Sequence, residues 1–167
     1  MKILEYIDKI SEWTGIIVSW IIIPLTFVVV YEVVMRHFFN APTGWGYDTL
    51  WMLYSTQFMI GGAYTLLKKG HVRIDIVYNT LSPRGQLIFD SIVYAVVFSF
   101  IMILFTWAGV RFASEAWATK EKLSTTNWFF PSGPIKTIIP IAFFLLSLQS
   151  LAELIRNIAT LTKGKAL

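Results

Sequence analysis

Residues 31–48 read YEVVMRHFFNAPTGWGYD, and how this stretch is taken decides the fold. A long apolar run gathers Glu32 and Arg36, meets Asn40, Ala41 and Pro42, and restarts at Trp45 and Asp48. Glu32 and Arg36 stand four apart, so on a helix they share a face and can pair. Pairing matters because an uncompensated charge near hydrocarbon costs about 2.5 to 3.5 kcal/mol even on translocon-based scales. Proline has no N–H to give and biases the residue before it out of the α region, so the helix is expected to end at Asn40 to Pro42. Trp45 and Tyr47 suit the headgroup level, where amphipathic rings collect. The stretch therefore reads as the exit from a bilayer and the way back in.

Composition says the same of the whole chain. Of 167 residues, 56% are hydrophobic and 14% charged, with mean hydropathy +0.62; a soluble domain averages about 25% charged. Surplus apolar surface on this scale calls for a lipid solvent. The net charge of +4 is not a nucleic-acid footprint, because the bases sit beside apolar runs and form no continuous basic and aromatic groove. Cysteine is absent, which removes disulfides and thiolate metal sites.

Working outward, the pattern predicts an all-α integral membrane protein with four transmembrane helices and a short interfacial N-terminal helix. Residues 2–12 alternate Ile3, Leu4, Ile7 and Ile10 with Glu5, Asp8, Lys9 and Glu12 as a two-faced helix would. Spans are expected at about 13–37, 48–68, 87–112 and 134–157 within one membrane domain covering 1–167. Pro24 is expected to kink the first span. In the second, Gly61, Gly62 and Ala63 would let another helix approach closely, and in the third Ser91, Ala95 and Ser99 recur every fourth residue as a narrow groove. Gln149 is the main strongly polar side chain expected deep in a span, where a hydrogen bond between helices explains it. The first apolar run continues into Glu32 and Arg36 without a small-residue cleavage site, so it reads as retained rather than as a signal peptide.

Nine of the fourteen Lys and Arg residues fall at the N-terminus, in the connection after the second span and at the C-terminus. The positive-inside rule then puts both termini and the loop KKGHVRID in the cytoplasm, and the loops 40–48 and 120–134 outside.

Catalysis finds no support in the residues. His37 and His71 are the only histidines, both near span ends, so a bis-histidine haem within the helices cannot be built, and a protein-only zinc site would have to use both from opposite sides of the membrane. Gly44 and Gly46 form only a GxG with no following Lys-Ser or Lys-Thr. Ser55, His71 and Asp75 lack a nucleophile turn around the serine. No cofactor is expected. Nor do mid-span ionisable groups or paired broken helices mark a solute path. The residues point to a small membrane protein that positions or supports something larger.

The segments VVYEVVMRHFFNAPTGWGYD, GGAYTLLKKGHVRIDIVYNTLSPRGQ and IKTIIPIAFFLLSLQSLAELIR, in this order and spacing, resemble the small membrane subunit (DctQ type) of tripartite ATP-independent periplasmic (TRAP) transporters. The resemblance covers essentially the whole chain. It implies a bacterial or archaeal cytoplasmic membrane, a large M-type membrane subunit that carries solute and sodium sites and moves as an elevator, and a periplasmic solute-binding protein that delivers an organic acid. This chain would be part of the static scaffold, in contact with membrane lipids and not with nucleic acid. The family's pattern places Arg36, Asn40, Pro42 and Trp45 at the outer end of the first span, His71, Val72, Arg73 and Asp75 after the second, and Pro140 and Gln149 in the last. Asp48 stands where relatives often have glutamate. Glu32, Arg36, Asn40, Trp45, Asp48, His71, Arg73, Asp75 and Gln149 are thus expected at the partner interface, and Trp128, Phe129 and Phe130 are candidate contacts for the binding protein. The rival expectation is a self-contained four-helix exporter working as a homodimer around Glu32.

Overall fold

The computed structural model describes residues 2–70, 78 and 80–163. These form α1 (Lys2–Ser19), α2 (Ile22–Phe38), α3 (Gly46–Leu67), α4 (Pro83–Ile92), a π-helical stretch (Val93–Phe100), α5 (Ile101–Ala118) and α6 (Gly133–Lys163). Among the described residues three segments are long and apolar enough to cross a membrane: Lys2–Phe38, Pro83–Ala118 and Gly133–Thr162. The expected spans 13–37, 87–112 and 134–157 lie inside them. The remaining one, 48–68, coincides with α3, whose 22 residues give about 33 Å of helix, but Gln57 and several Ser, Thr and Tyr residues make it more polar than the others.

The N-terminal helix departs from expectation. It does not stop at Glu12 but runs to Ser19, and the four-residue hydrogen-bond ladder is interrupted only at Trp20 and Ile21, with Ile21 still in the α region, before α2 begins. The break lies four residues before Pro24, where a proline ring meets the carbonyl of residue i−4 and withholds its own N–H. The turn tightens there: the Trp20 N–H donates to Ile17 O at 3.3 Å and the Ile21 N–H to Val18 O at 3.1 Å. Leu4, Ser11, Gly15 and Val18 make one buried stripe along α1. A side chain on Gly15 would put its Cβ 2.4 Å from the Tyr64 ring, so glycine is what lets α1 lie against α3.

α6 is the hub, touching α1, α3, α4, the π stretch and α5, while α2 packs chiefly on α3. The pairings Gly15 with Tyr64 and Glu12 with Lys68 run α1 antiparallel to α3. Likewise Gly109 meets Ile139 and Pro140, and Phe105 stacks on Phe143 at 5.0 Å, which runs α5 antiparallel to α6. Pro140 sits inside α6, and the Gly109 surface accepts its ring: a Cβ there would be 3.2 Å from Pro140 Cδ. The buried residues are mostly small, among them Ala63, Ala113, Ala116, Ala142, Ser150 and Ala152. Close backbone approach through small side chains is how helices associate where lipid removes the hydrophobic drive.

The third segment hides a change of register. Ser82 caps α4 by accepting the Gly85 N–H at 3.2 Å, with Pro83 at the first helical position. Ser91 then bonds back to Leu87 O, four residues away, whereas Ser99 bonds back to Tyr94 O, five away. The groove expected from Ser91, Ala95 and Ser99 presumes α geometry throughout; the π stretch rotates that face apart and leaves Ala95 exposed.

Candidate functional site

The polar groups gather at the two ends of the bundle. One end carries the connections 39–45 and 119–132; the other carries the N-terminus, the end of α3 and the end of α6.

At the loop end, Asn40 takes φ 49°, a left-handed value that asparagine tolerates better than most residues, and the Ala41 N–H donates to Met35 O at 3.0 Å. This turn brings Thr43 back beneath Glu32. One Glu32 oxygen accepts from Arg36 at 2.8 Å; the other accepts the Thr43 hydroxyl and, at 3.3 Å, the Thr43 N–H. Thr43 Oγ1 in turn accepts the Gly46 N–H at 3.1 Å and so caps α3. A Cβ on Gly46 would fall 2.6 Å from Glu32 Oε2 and 2.5 Å from Thr43 Oγ1, so the GWG segment needs glycine here for close approach. Tyr31 stacks on Trp45 with centroids 5.7 Å apart.

Asp48 is 2% exposed and accepts the Thr126 hydroxyl, which ties α3 to the 119–132 connection. That connection is held further by the Leu123 N–H to Phe130 O at 2.8 Å, the Ser132 N–H to Glu121 O at 2.9 Å and the Lys136–Glu121 pair at 2.5 Å. Trp128 stacks on Phe130 at 4.8 Å, and Trp128 and Phe129 stand exposed at the tip.

At the opposite end, Gln149 is 0% exposed. Its carbonyl accepts the Ser11 hydroxyl at 2.8 Å, and its amide donates to Asp8 at 3.1 Å and to Glu153 at 3.4 Å. Arg156 bridges Asp8 and, at 2.6 Å, Glu153. Two carboxylates, one guanidinium and one amide thus lock α1 to α6. Beside them Lys68 pairs with Glu12 at 2.9 Å. Lys69, at φ 55°, ends α3, with the Gly70 N–H reaching back to Thr65 O at 2.8 Å.

The structure therefore unites Glu32 with Arg36 and sets Trp45 beside them, but it does not pair Arg36 with Asp48. Gln149, expected at a partner interface, lies wholly inside the chain with its hydrogen bonds made to α1 and α6, so no partner side chain can reach it without parting those helices. His71, Arg73 and Asp75 lie outside the described residues, as does Val72. Sequence reasoning missed Thr43 and Thr126, the hydroxyls that hold Glu32 and Asp48 at the loop end; neither position is predictable from helical period, since the turns alone bring them close. It also missed the Asp8–Arg156 bridge, although Asp8 and Ser11 share the face of α1 that Leu4 and Gly15 mark as buried.

Outside these clusters many large apolar side chains stand exposed. Tyr47, Trp51, Tyr54 and Phe58 form a ladder along α3, each ring 6.1 to 6.2 Å from the next, and all four are exposed. Patches this continuous are rare on soluble monomers and mark lipid or protein contact. Among the described residues no three His, Cys, Asp or Glu side chains gather as a metal site requires. The arrangement is built to hold helices in register and to present apolar faces.

Comparison with known proteins agrees. The chain is 24% identical over 144 residues to the sialic acid TRAP transporter permease protein SiaT of Haemophilus influenzae (strain 86-028NP), a match that takes in 85% of this chain and 23% of that protein. The chain thus spans about a quarter of the length of this curated relative. The profile of the family described as tripartite ATP-independent periplasmic transporters, DctQ component, matches residues 25–160. The chain, a small permease component with membrane-spanning helices, belongs to that DctQ family.

Proposed function

We propose that this chain is the scaffold subunit of a TRAP-type secondary transporter: it crosses the inner membrane four times with both termini in the cytoplasm, and binds a large elevator-type membrane subunit that carries out sodium-coupled, binding-protein-dependent uptake of an organic acid. The observation that carries this reading is the inward commitment of the charges. Glu32 is taken by Arg36 and Thr43, and Asp8 and Glu153 by Arg156, while the faces left over are apolar. A chain that spends its ionisable groups on its own helix contacts has little left with which to bind an anionic solute or a coupling ion at mid-span, and is suited to stiffen a neighbour that does. The length of the relative, about four times the matched region, fits a function completed by further membrane segments. Arg36, whose side chain is 57% exposed, and Trp45 remain available to a partner at the loop end, and the aromatic tip at Trp128–Phe130 to a binding protein.

The test is co-purification in mild detergent of the tagged chain expressed with its genomic neighbours. A stoichiometric large membrane protein is expected, with transport in liposomes only when both are present. A homodimer that transports alone would overturn the reading and make Glu32 the active group.

A further inference from the structure

Among the described residues two carboxylates are almost fully buried, Glu153 at 7% and Asp48 at 2% exposed. Glu153 meets the Arg156 guanidinium at 2.6 Å. Asp48 meets no base: the Thr126 hydroxyl takes one of its oxygens, and the other has no hydrogen-bond or ionic partner among the described residues. Two bases of the loop end are engaged elsewhere, Arg36 with Glu32 and Lys136 with Glu121. Asp48 stands in the first turn of α3, where the partial positive charge of the helix end favours a carboxylate. That charge softens the cost of burial but is no counter-ion.

Asp48 lines a crevice of about 210 Å³ where the start of α3 meets the 119–132 connection and the start of α6, walled also by Tyr47, Trp51, Met52, Leu123 and Ile135. We infer that this crevice receives an arginine side chain of the large membrane subunit, its guanidinium on the Asp48 oxygen that Thr126 leaves free. The inference rests on the scaffold reading and names one anchoring point of that partner. Each part of the wall matches a part of that side chain. A guanidinium gives a carboxylate a charge-assisted hydrogen bond, and its flat face rests on aromatic rings, which Tyr47 and Trp51 supply 6.2 Å apart and each about half exposed. Its aliphatic stem packs on Met52, Leu123 and Ile135. Other occupants match less. A lipid chain leaves the buried charge uncompensated, and a zwitterionic headgroup brings a phosphate for which no Lys or Arg lines the crevice. A divalent cation calls for about six oxygens or more, where the wall supplies one carboxylate. A second copy of this chain has its loop-end arginines already spent, Arg36 on Glu32 and Arg111 over the Trp107 ring.

The test compares the chain alone with its complex with the large subunit, both in mild detergent. Asp48→Asn keeps an oxygen for the Thr126 hydroxyl and removes the charge. The unfolding temperature of the chain alone should therefore hold or rise, while association with the large subunit weakens about thirtyfold or more, because the partner's guanidinium loses its counter-charge. Trp51→p-benzoylphenylalanine in the complex should cross-link to the large subunit within one helical turn of an arginine. Replacing that arginine by glutamine should weaken association as much as Asp48→Asn does, with no further loss when the two are combined. An Asp48→Asn chain that unfolds at clearly lower temperature yet binds the large subunit as tightly as before overturns the inference and makes Asp48 a residue of the fold alone. A Trp51 cross-link that reaches only lipid, a second copy of this chain or the binding protein overturns it as well. In both cases the large subunit still co-purifies and the scaffold reading stands. If no large subunit co-purifies with the unmodified chain, both fall together.

Discussion

The two ends of the bundle solve the same problem with different chemistry. At the loop end the carboxylates of Glu32 and Asp48 are held by threonine hydroxyls from turns, Thr43 and Thr126, with Arg36 also on Glu32 and Lys136 on Glu121. At the other end the carboxylates Asp8 and Glu153 share Arg156 and an amide, and the partners are up to 148 residues apart. The loop end is thus secured by turns, one a local reversal from Glu32 to Thr43 and one bringing Thr126 across 78 residues to Asp48, and the terminal end by the meeting of the first and last helices. Hydroxyls bonding a carboxylate leave its charge in place; a guanidinium between two carboxylates offsets one of their two charges.

That contrast can be broken by substitution, and the effects should fall in a definite order. Arg156→Ala strands two carboxylates against α1 and α6, and because the guanidinium is 23% exposed the loss should be about 2 to 4 kcal/mol, somewhat under the range for a fully buried pair. Thermal unfolding in detergent would read it, together with separation of α1 from α6 by distance measurement between spin labels. A loss smaller than that of the next variant would invert the comparison. Gly46→Ala drives a methyl into Glu32 Oε2 and Thr43 Oγ1 and should cost about 1 to 3 kcal/mol in the same thermal unfolding. Arg36→Ala removes a pair whose base is 57% exposed and should cost about 0 to 1 kcal/mol of folding stability, since Thr43 still holds Glu32. If Arg36→Ala nevertheless abolishes recovery of the large subunit, Arg36 serves the interface rather than the fold.

How much of this was legible in the chain varies with distance along it. Helix α3 at Gly46–Leu67 and helix α6 at Gly133–Lys163 follow from uncharged runs bounded by turn residues, and the Glu32–Arg36 pair from a spacing of four. The π stretch was not legible, because nothing in VYAVVFSF distinguishes a five-residue from a four-residue hydrogen-bond register; Ser99 bonding to Tyr94 O shows it only once the coordinates exist. The break between α1 and α2 was half legible: Pro24 announced a kink, but the polar face of residues 2–12 drew the boundary too early. Two of those polar side chains, Asp8 and Glu12, reach Gln149, Arg156 and Lys68, while Glu5 and Lys9 stay exposed.

The sequence by itself determined that this chain is helical and belongs in a bilayer, where its helices turn, and which family pattern it follows, because apolar run length, proline and glycine punctuation and charge spacing act over a few residues and need no partner. Only the tertiary structure decided which polar groups are committed to the chain's own helices and which are left facing outward. That depends on helices brought together from opposite ends of the chain, where the approach of one backbone to another, set by Gly15, Gly46 and Gly109 and released at Gly61 and Gly62, fixes whether a side chain finds a partner or an opening.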